Sequence, residues 1–211
     1  MLTLYAMDGC PYAQRTRALL RRLDHPFELR LIDARNKPAD FLAVSPNGKV
    51  PLLLDGDLKL YESFVTIEYL SEKLKWPTAH SGDVGQRARE RLAMLQFDEV
   101  VVGEFFAAFK TGEPPPADRL VVLRNALAEL ERTALASSGT DNLLGIHCGV
   151  HWVRWQWLGE GGHAPLLPIV AERPRLLAWL NEAAALPDVI ATLPEKAPFV
   201  ALVTQRFGKA A

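Results

Sequence analysis

The sequence predicts an α/β domain followed by an all-α domain. Three observations carry this. Up to about residue 74, short segments of strand period alternate with helical stripes; beyond residue 80, every periodic segment has helical spacing and no convincing strand follows; and a short polar stretch, Trp76-Pro77 to Gly82, separates the two regimes. The domains are therefore read as 1–76 and 84–211, joined by a linker at 77–83, in a chain of 211 residues that is long enough to bury a core without staples.

Leu2 to Ala6 is apolar and runs into Asp8-Gly9, a strand entering a turn. Pro11 suits the first position of a helix because its missing N–H has no intrahelical partner there anyway. Tyr12, Thr16, Leu19, Leu20 and Leu23 then recur at helical spacing, with Arg15, Arg17, Arg21 and Arg22 read as a mostly solvated face. Residues 27–32 alternate as a strand, 36–43 can hold a short helix, and Ser45-Pro46-Asn47-Gly48 is turn chemistry. A third strand at 50–54 turns through Asp55-Gly56-Asp57 into a fourth at 58–61, and Ser63 is read as the cap of a helix carrying Phe64, Ile67, Leu70 and Leu74. The order is βαβαββα, with the first two strands parallel and the late hairpin antiparallel. In the second domain the helices are placed at 83–110, 117–136, 148–158 and 174–186, with Pro114-Pro115-Pro116 as a loop between two of them.

Composition excludes several classes. The 24 basic and 25 acidic side chains leave no electrostatic footprint for nucleic acid or an anionic membrane. No apolar run approaches the roughly 20 residues that span a bilayer. The amino terminus has no basic start and meets Asp8 early, unlike a secretory signal. Two cysteines, Cys10 and Cys148, do not make a disulfide framework, which fits a reducing cytoplasm.

Cys10, in Gly9-Cys10-Pro11-Tyr12-Ala13, lies between the first strand and the first helix. Unpaired N–H groups and the positive end of the helix dipole favour a thiolate there, and Arg15 and Arg17 one turn on add positive charge. A stabilised thiolate is both nucleophile and leaving group, as thiol–disulfide exchange requires. Ala13 stands where a second cysteine would close an internal disulfide, so a mixed disulfide on Cys10 needs an external thiol to resolve it. The plainer reading of Cys10 is a small buried hydrophobe.

With Gly48-Lys49-Val50-Pro51 and Glu62-Ser63, these residues resemble the glutathione transferase superfamily. The run Cys10-Pro11-Tyr12-Ala13-Gln14-Arg15-Thr16-Arg17 is similar to its cysteine-containing, omega-like branch. Asn36-Lys37-Pro38 and the late stretch Pro174-Arg175-Leu176-Leu177-Ala178-Trp179-Leu180 extend the likeness over almost the whole chain. The resemblance implies a thioredoxin-like first domain, an all-helical second one, glutathione as co-substrate and a homodimer. It implies that Pro51 is cis and that Val50 offers its backbone N–H and C=O to the peptide-like ligand. Ser63 and the helix mouth would receive the γ-glutamyl carboxylate, Glu62 the ammonium, and Lys37 the glycyl carboxylate. Glu62-Ser63 also reads as a helix cap alone, and Lys37 as a solvated surface lysine.

The expected activity is a glutathione-dependent thiol transfer through a mixed disulfide on Cys10, with a small hydrophobic or glutathionylated second substrate and no metal, nucleic-acid or membrane partner. Two other activities stay open: conjugation of glutathione to hydrophobic electrophiles, with Tyr5 or Tyr12 as the hydroxyl, and a non-catalytic binding or regulatory role. Phe105, Phe106 and Phe109 are candidates for an apolar co-substrate wall, whereas Trp152, Trp155 and Trp157 read as core. His147, Cys148 and His151 suggest the start of a zinc site but lack a fourth ligand, and Cys148 reads as packing at an unusual helix start.

Overall fold

The strands β1 (Leu2–Ala6), β2 (Phe27–Leu31), β3 (Leu52–Asp55) and β4 (Leu58–Tyr61) form one sheet, ordered β2-β1-β3-β4, in the computed structural model, which describes residues 1–207. Helix α1 (Pro11–Arg22) connects β1 to β2, which pair in parallel with Leu2 opposite Phe27 and Ala6 opposite Leu31. After α2 (Ala39–Val44) the chain returns as β3, antiparallel to β1 with Tyr5 opposite Leu52, and β4 closes the hairpin before α3 (Ser63–Lys73). This is the βαβαββα, thioredoxin-like arrangement. It follows from alternation: Tyr5 and Leu52 face one side and pack with Ile32 and Phe41, while Leu4 and Leu53 face the other. On that other side α1 and α3 pack together through fully buried residues such as Leu19, Leu20, Ile67 and Leu70.

The chain divides into two compact units, and the first is not continuous. It comprises Met1–Ala79 together with Pro187–Pro194; the second holds His80–Leu186 and, of the described residues, 195–207. Among the described residues, the regular structure of the second unit is helical. Helix α4 (Val84–Gln96) runs through a π-helical turn, Phe97–Val102, into α5 (Gly103–Thr111), followed by α6 (Ala117–Ala136), α7 (Leu143–Glu160), α8 (Leu167–Ala171) and α9 (Pro174–Ala184). The short α10 (Pro187–Ile190) belongs to the first unit, where it packs on α1, and α11 (Lys196–Phe207) belongs to the second.

Helix α7 starts earlier than the sequence reading placed it. Its first residue is Leu143, and the Asn142 side chain accepts from the Gly145 N–H at 2.8 Å, so asparagine is the cap and Cys148 lies fully buried in the second turn. Gly149 meets α9 so closely that a Cβ there would sit 2.4 Å from the Ala183 carbonyl oxygen. Asn142→Ala is therefore expected to lower stability by about 1 kcal/mol, read as a shift of the thermal unfolding midpoint. A midpoint equal to the wild type would show that the cap contributes nothing.

Aromatic packing builds the helical core. Phe105 stacks on Trp155 at 3.8 Å between centroids, 5° from parallel, and Trp152 donates its indole N–H to Asn181 at 2.8 Å. Of the three phenylalanines considered for a co-substrate wall, Phe105 and Phe109 are buried, whereas Phe106 is exposed beneath Lys110. Trp152 and Trp155 are core as expected, and the half-buried Trp157 meets Phe199 edge-on.

One buried carboxylate ties three parts of this unit together. Glu90 of α4, fully buried, accepts from His80 Nδ1 at 2.9 Å, from the Ser81 backbone N–H and hydroxyl, and from the Ser137 hydroxyl at 2.7 Å. Burial alone would raise its pKa; the hydrogen bonds from His80, Ser81 and Ser137 outweigh that and hold it below the ordinary value.

Candidate functional site

All six residues singled out for glutathione chemistry lie in the first unit. Cys10 occupies the residue before α1, with extended backbone (φ −78°, ψ 114°). Its N–H donates to the Met7 carbonyl, and its carbonyl accepts the first helical bond from Gln14, both at 3.0 Å. The thiol is half-buried, and Pro11 takes the first helical position. No acidic side chain stands in the first turn, so the helix end keeps its positive field.

Of the arginines of α1, Arg21 and Arg22 are exposed as expected, whereas Arg15 and Arg17 leave the solvated face. Arg15 is fully buried, its guanidinium 5.0 Å from the Tyr12 ring centre, and Nη1 donates to the Ser63 hydroxyl at 3.1 Å. Arg17 donates to Asp8 at 3.0 Å, and exposed Arg21 faces Asp188 of α10. Gln14, also fully buried, donates to the Val189 carbonyl at 2.8 Å and to the Thr192 hydroxyl at 3.1 Å. The helix behind Cys10 is thereby anchored on both sides.

Ser63 is the first residue of α3 and not its cap. Glu62 takes the cap position with φ 73° and ψ 115°, in the left-handed region that non-glycine residues rarely adopt. The Thr66 N–H and hydroxyl both hold the Glu62 carbonyl at 3.0 Å. Glu62 is consequently exposed while the neighbouring Ser63 is buried against Arg15.

The Val50-Pro51 bond is cis. The pairing of β3 with β1 stops at Leu52, which leaves Val50 beyond the ladder. The turn before it holds Gly48 at φ +63°, and a Cβ there would lie 3.8 Å from Lys37 Nζ. Lys37, half-buried, therefore sits over the same turn that leads into Val50. These contacts bring Lys37 to the Val50 turn and Arg15 to Ser63.

Tyr5 is occupied elsewhere. It is 3% exposed, packs on Phe41, and its hydroxyl accepts from Arg30 Nη1 at 2.7 Å. His147, Cys148 and His151 are buried within α7, where His147 Nε2 lies 3.1 Å from the Met94 carbonyl and 3.2 Å from Asp98. Among the described residues no group of three or more His, Cys, Asp or Glu side chains is arranged to hold a metal ion, and no helix is long and apolar enough to cross a membrane.

Comparison with known proteins places the chain in a family. The family model for the glutathione S-transferase N-terminal domain matches residues 4–77. Human glutathione S-transferase omega-2 is 28% identical over 204 residues, spanning 94% of this chain and 83% of that protein. A probable glutathione transferase from Aplysia californica is 35% identical over 83 residues, 39% of this chain and 90% of that protein. The crystal structure of glutathione transferase Omega 2C from Trametes versicolor superposes with a TM-score of 0.79 at 22% identity, covering 98% of both chains, and so shares the fold. A strand-to-helix cysteine, a cis proline beside an open strand end and a serine at the mouth of α3, in a chain with these relatives, make this protein an omega-like member of the glutathione transferase superfamily.

Proposed function

We propose that this protein is a glutathione-dependent thiol transferase in which Cys10 is the nucleophile. The observation that carries the reading is the half-buried Cys10 thiol at the N-terminal mouth of a twelve-residue helix that begins with proline. The helix-end field favours the thiolate. Attack on a glutathionylated substrate forms a disulfide between Cys10 and glutathione, breaks the substrate's S–S bond and releases the substrate as a thiolate that takes up a proton. A second glutathione, as thiolate, then attacks the glutathione sulfur of that mixed disulfide. Oxidised glutathione leaves, and the Cys10 thiolate is restored.

Each part of glutathione has a partner in the first unit. Val50, beyond the β1–β3 ladder, supplies backbone groups that extend the sheet onto the cysteinyl part of the ligand. Ser63 and the first N–H groups of α3 take the γ-glutamyl carboxylate, exposed Glu62 takes the ammonium, and Lys37 takes the glycyl carboxylate. The engagement of the Tyr5 hydroxyl by Arg30 removes one hydroxyl on which a conjugating mechanism would depend. We assign the enzyme to the cytoplasm on its thiol content and expect a homodimer by its family membership.

Mass spectrometry after exposure to oxidised glutathione tests the reading. A single glutathione adduct on Cys10 is expected. An adduct confined to Cys148, which is fully buried in α7, would overturn it.

A further inference from the structure

Arg15 is a buried cation that the sequence reading left in solvent. It lies one and a half turns after Cys10 on α1, yet its guanidinium reaches across to the first residue of α3, where α1 and α3 pack together. A buried arginine stacked over Tyr12 and aimed at a serine hydroxyl is a built arrangement, because a fully buried charge is retained only when held by specific partners.

The chemistry of that bond has a direction. A guanidinium only donates, so Ser63 Oγ is the acceptor at 3.1 Å. A hydroxyl has one proton, and with Arg15 on a lone pair that proton must point away from the arginine. Ser63 is one position too late to cap α3, since Glu62 holds that place, so the hydroxyl is not consumed by its own helix. A hydroxyl that accepts from a cation is also a stronger donor, through the polarisation along hydrogen-bond chains. What Arg15 makes of Ser63 is a fixed donor backed by positive charge at a helix N-terminus, and the acceptor that suits it is a carboxylate.

We propose that Arg15 is a positioning residue for the γ-glutamyl carboxylate of glutathione, acting through Ser63. This rests on the glutathione reading of the site, and it assigns Arg15 to ligand discrimination rather than to the thiol chemistry. It predicts a difference between two ligands that a purely structural arginine would not produce.

The experiment is calorimetric titration of the fully reduced protein with glutathione and with γ-aminobutyryl-cysteinyl-glycine, which lacks only the α-carboxylate. The wild type should prefer glutathione by about 10- to 100-fold. Arg15→Met should lose about tenfold or more in affinity for glutathione and stay within about twofold for the analogue. Arg15→Lys, which keeps the charge without the planar fork, should recover part of the discrimination. Equal loss for both ligands, or discrimination kept by Arg15→Met, overturns the assignment. Should Arg15→Met fail to fold, Ser63→Ala gives the same readout, and retained discrimination there overturns it equally. A wild type that binds glutathione without distinguishing the analogue sinks the role of Arg15 together with the carboxylate contact of Ser63, and leaves glutathione binding itself standing. One that binds neither sinks the glutathione site and this assignment together.

Discussion

Cys10→Ser is expected to lower the proposed glutathione-dependent reduction of a mixed disulfide by about a thousandfold or more. The serine oxygen keeps the position at the mouth of α1, but its proton is not removed near neutral pH, so neither an anionic nucleophile nor a good leaving group remains. The measurement is the rate of thiol release from a small glutathionylated substrate, at saturating glutathione. Glutathione affinity should change little, because the carboxylate contacts proposed for Ser63 and Lys37 do not pass through the thiol. Activity above about a tenth of the wild type would remove Cys10 from the mechanism. The same variant discriminates against conjugation: electrophile conjugation that survives in it, or that is the only activity of the wild type, reverses the order of the two activities. Tyr5→Phe is the companion variant. Its hydroxyl serves Arg30 on the α2 side of the sheet, so thiol transfer should be unchanged.

The second large effect concerns stability. Glu90→Ala is expected to cost about 3–5 kcal/mol, because it strips the acceptor from His80, Ser81 and Ser137 at once and leaves a void under α4. For a chain of this length that is roughly a 10 °C loss in the thermal midpoint. The pH dependence follows from the lowered Glu90 pKa. In the unfolded chain the carboxyl titrates near about 4.3, and in the folded chain it titrates lower. The folded state therefore gains from the charged form above the unfolded value, and this gain is lost as the pH falls through the folded one. The gap between wild type and Glu90→Ala should accordingly be widest at neutral pH and narrow in acid. A gap that widens toward low pH would mean that the buried carboxyl is neutral.

Much of the first unit was legible in the sequence because strand and helix periods there are distinct. Alternation marks the second strand, an apolar run the first, and the turns at Ser45–Gly48 and Asp55–Asp57 bracket the third and lead into the fourth. Cys10 stood out because Pro11 fixes a helix start directly after it. Arg15 was not legible, since arginine is mostly exposed and its stripe looked polar; only the packing of α1 on α3 turns it inward. Ser63 was taken for a cap, and the positive φ of Glu62 that moves the cap back by one residue leaves no compositional trace. In the second unit α7 is buried almost all round, so it lacks the amphipathic stripe that would have fixed its start, and Asn142 went unnoticed. Glu90 did carry a signal: an acid on the stripe Gln86, Glu90, Ala93 and Phe97, whose other members are buried. The π-helical turn at Phe97–Val102 keeps helical periodicity on either side and was invisible for that reason.

The return of Pro187–Pro194 to the first unit sets an order of assembly. The amide of Gln14 finds Val189 and Thr192 at sequence separations of 175 and 178 residues. Synthesis must therefore run some 175 residues past Gln14 before the helix behind Cys10 can acquire these two hydrogen bonds. Closing so long a loop is slow compared with forming the local helices. The helix that carries Cys10 thus depends for two of its anchors on residues far along the chain.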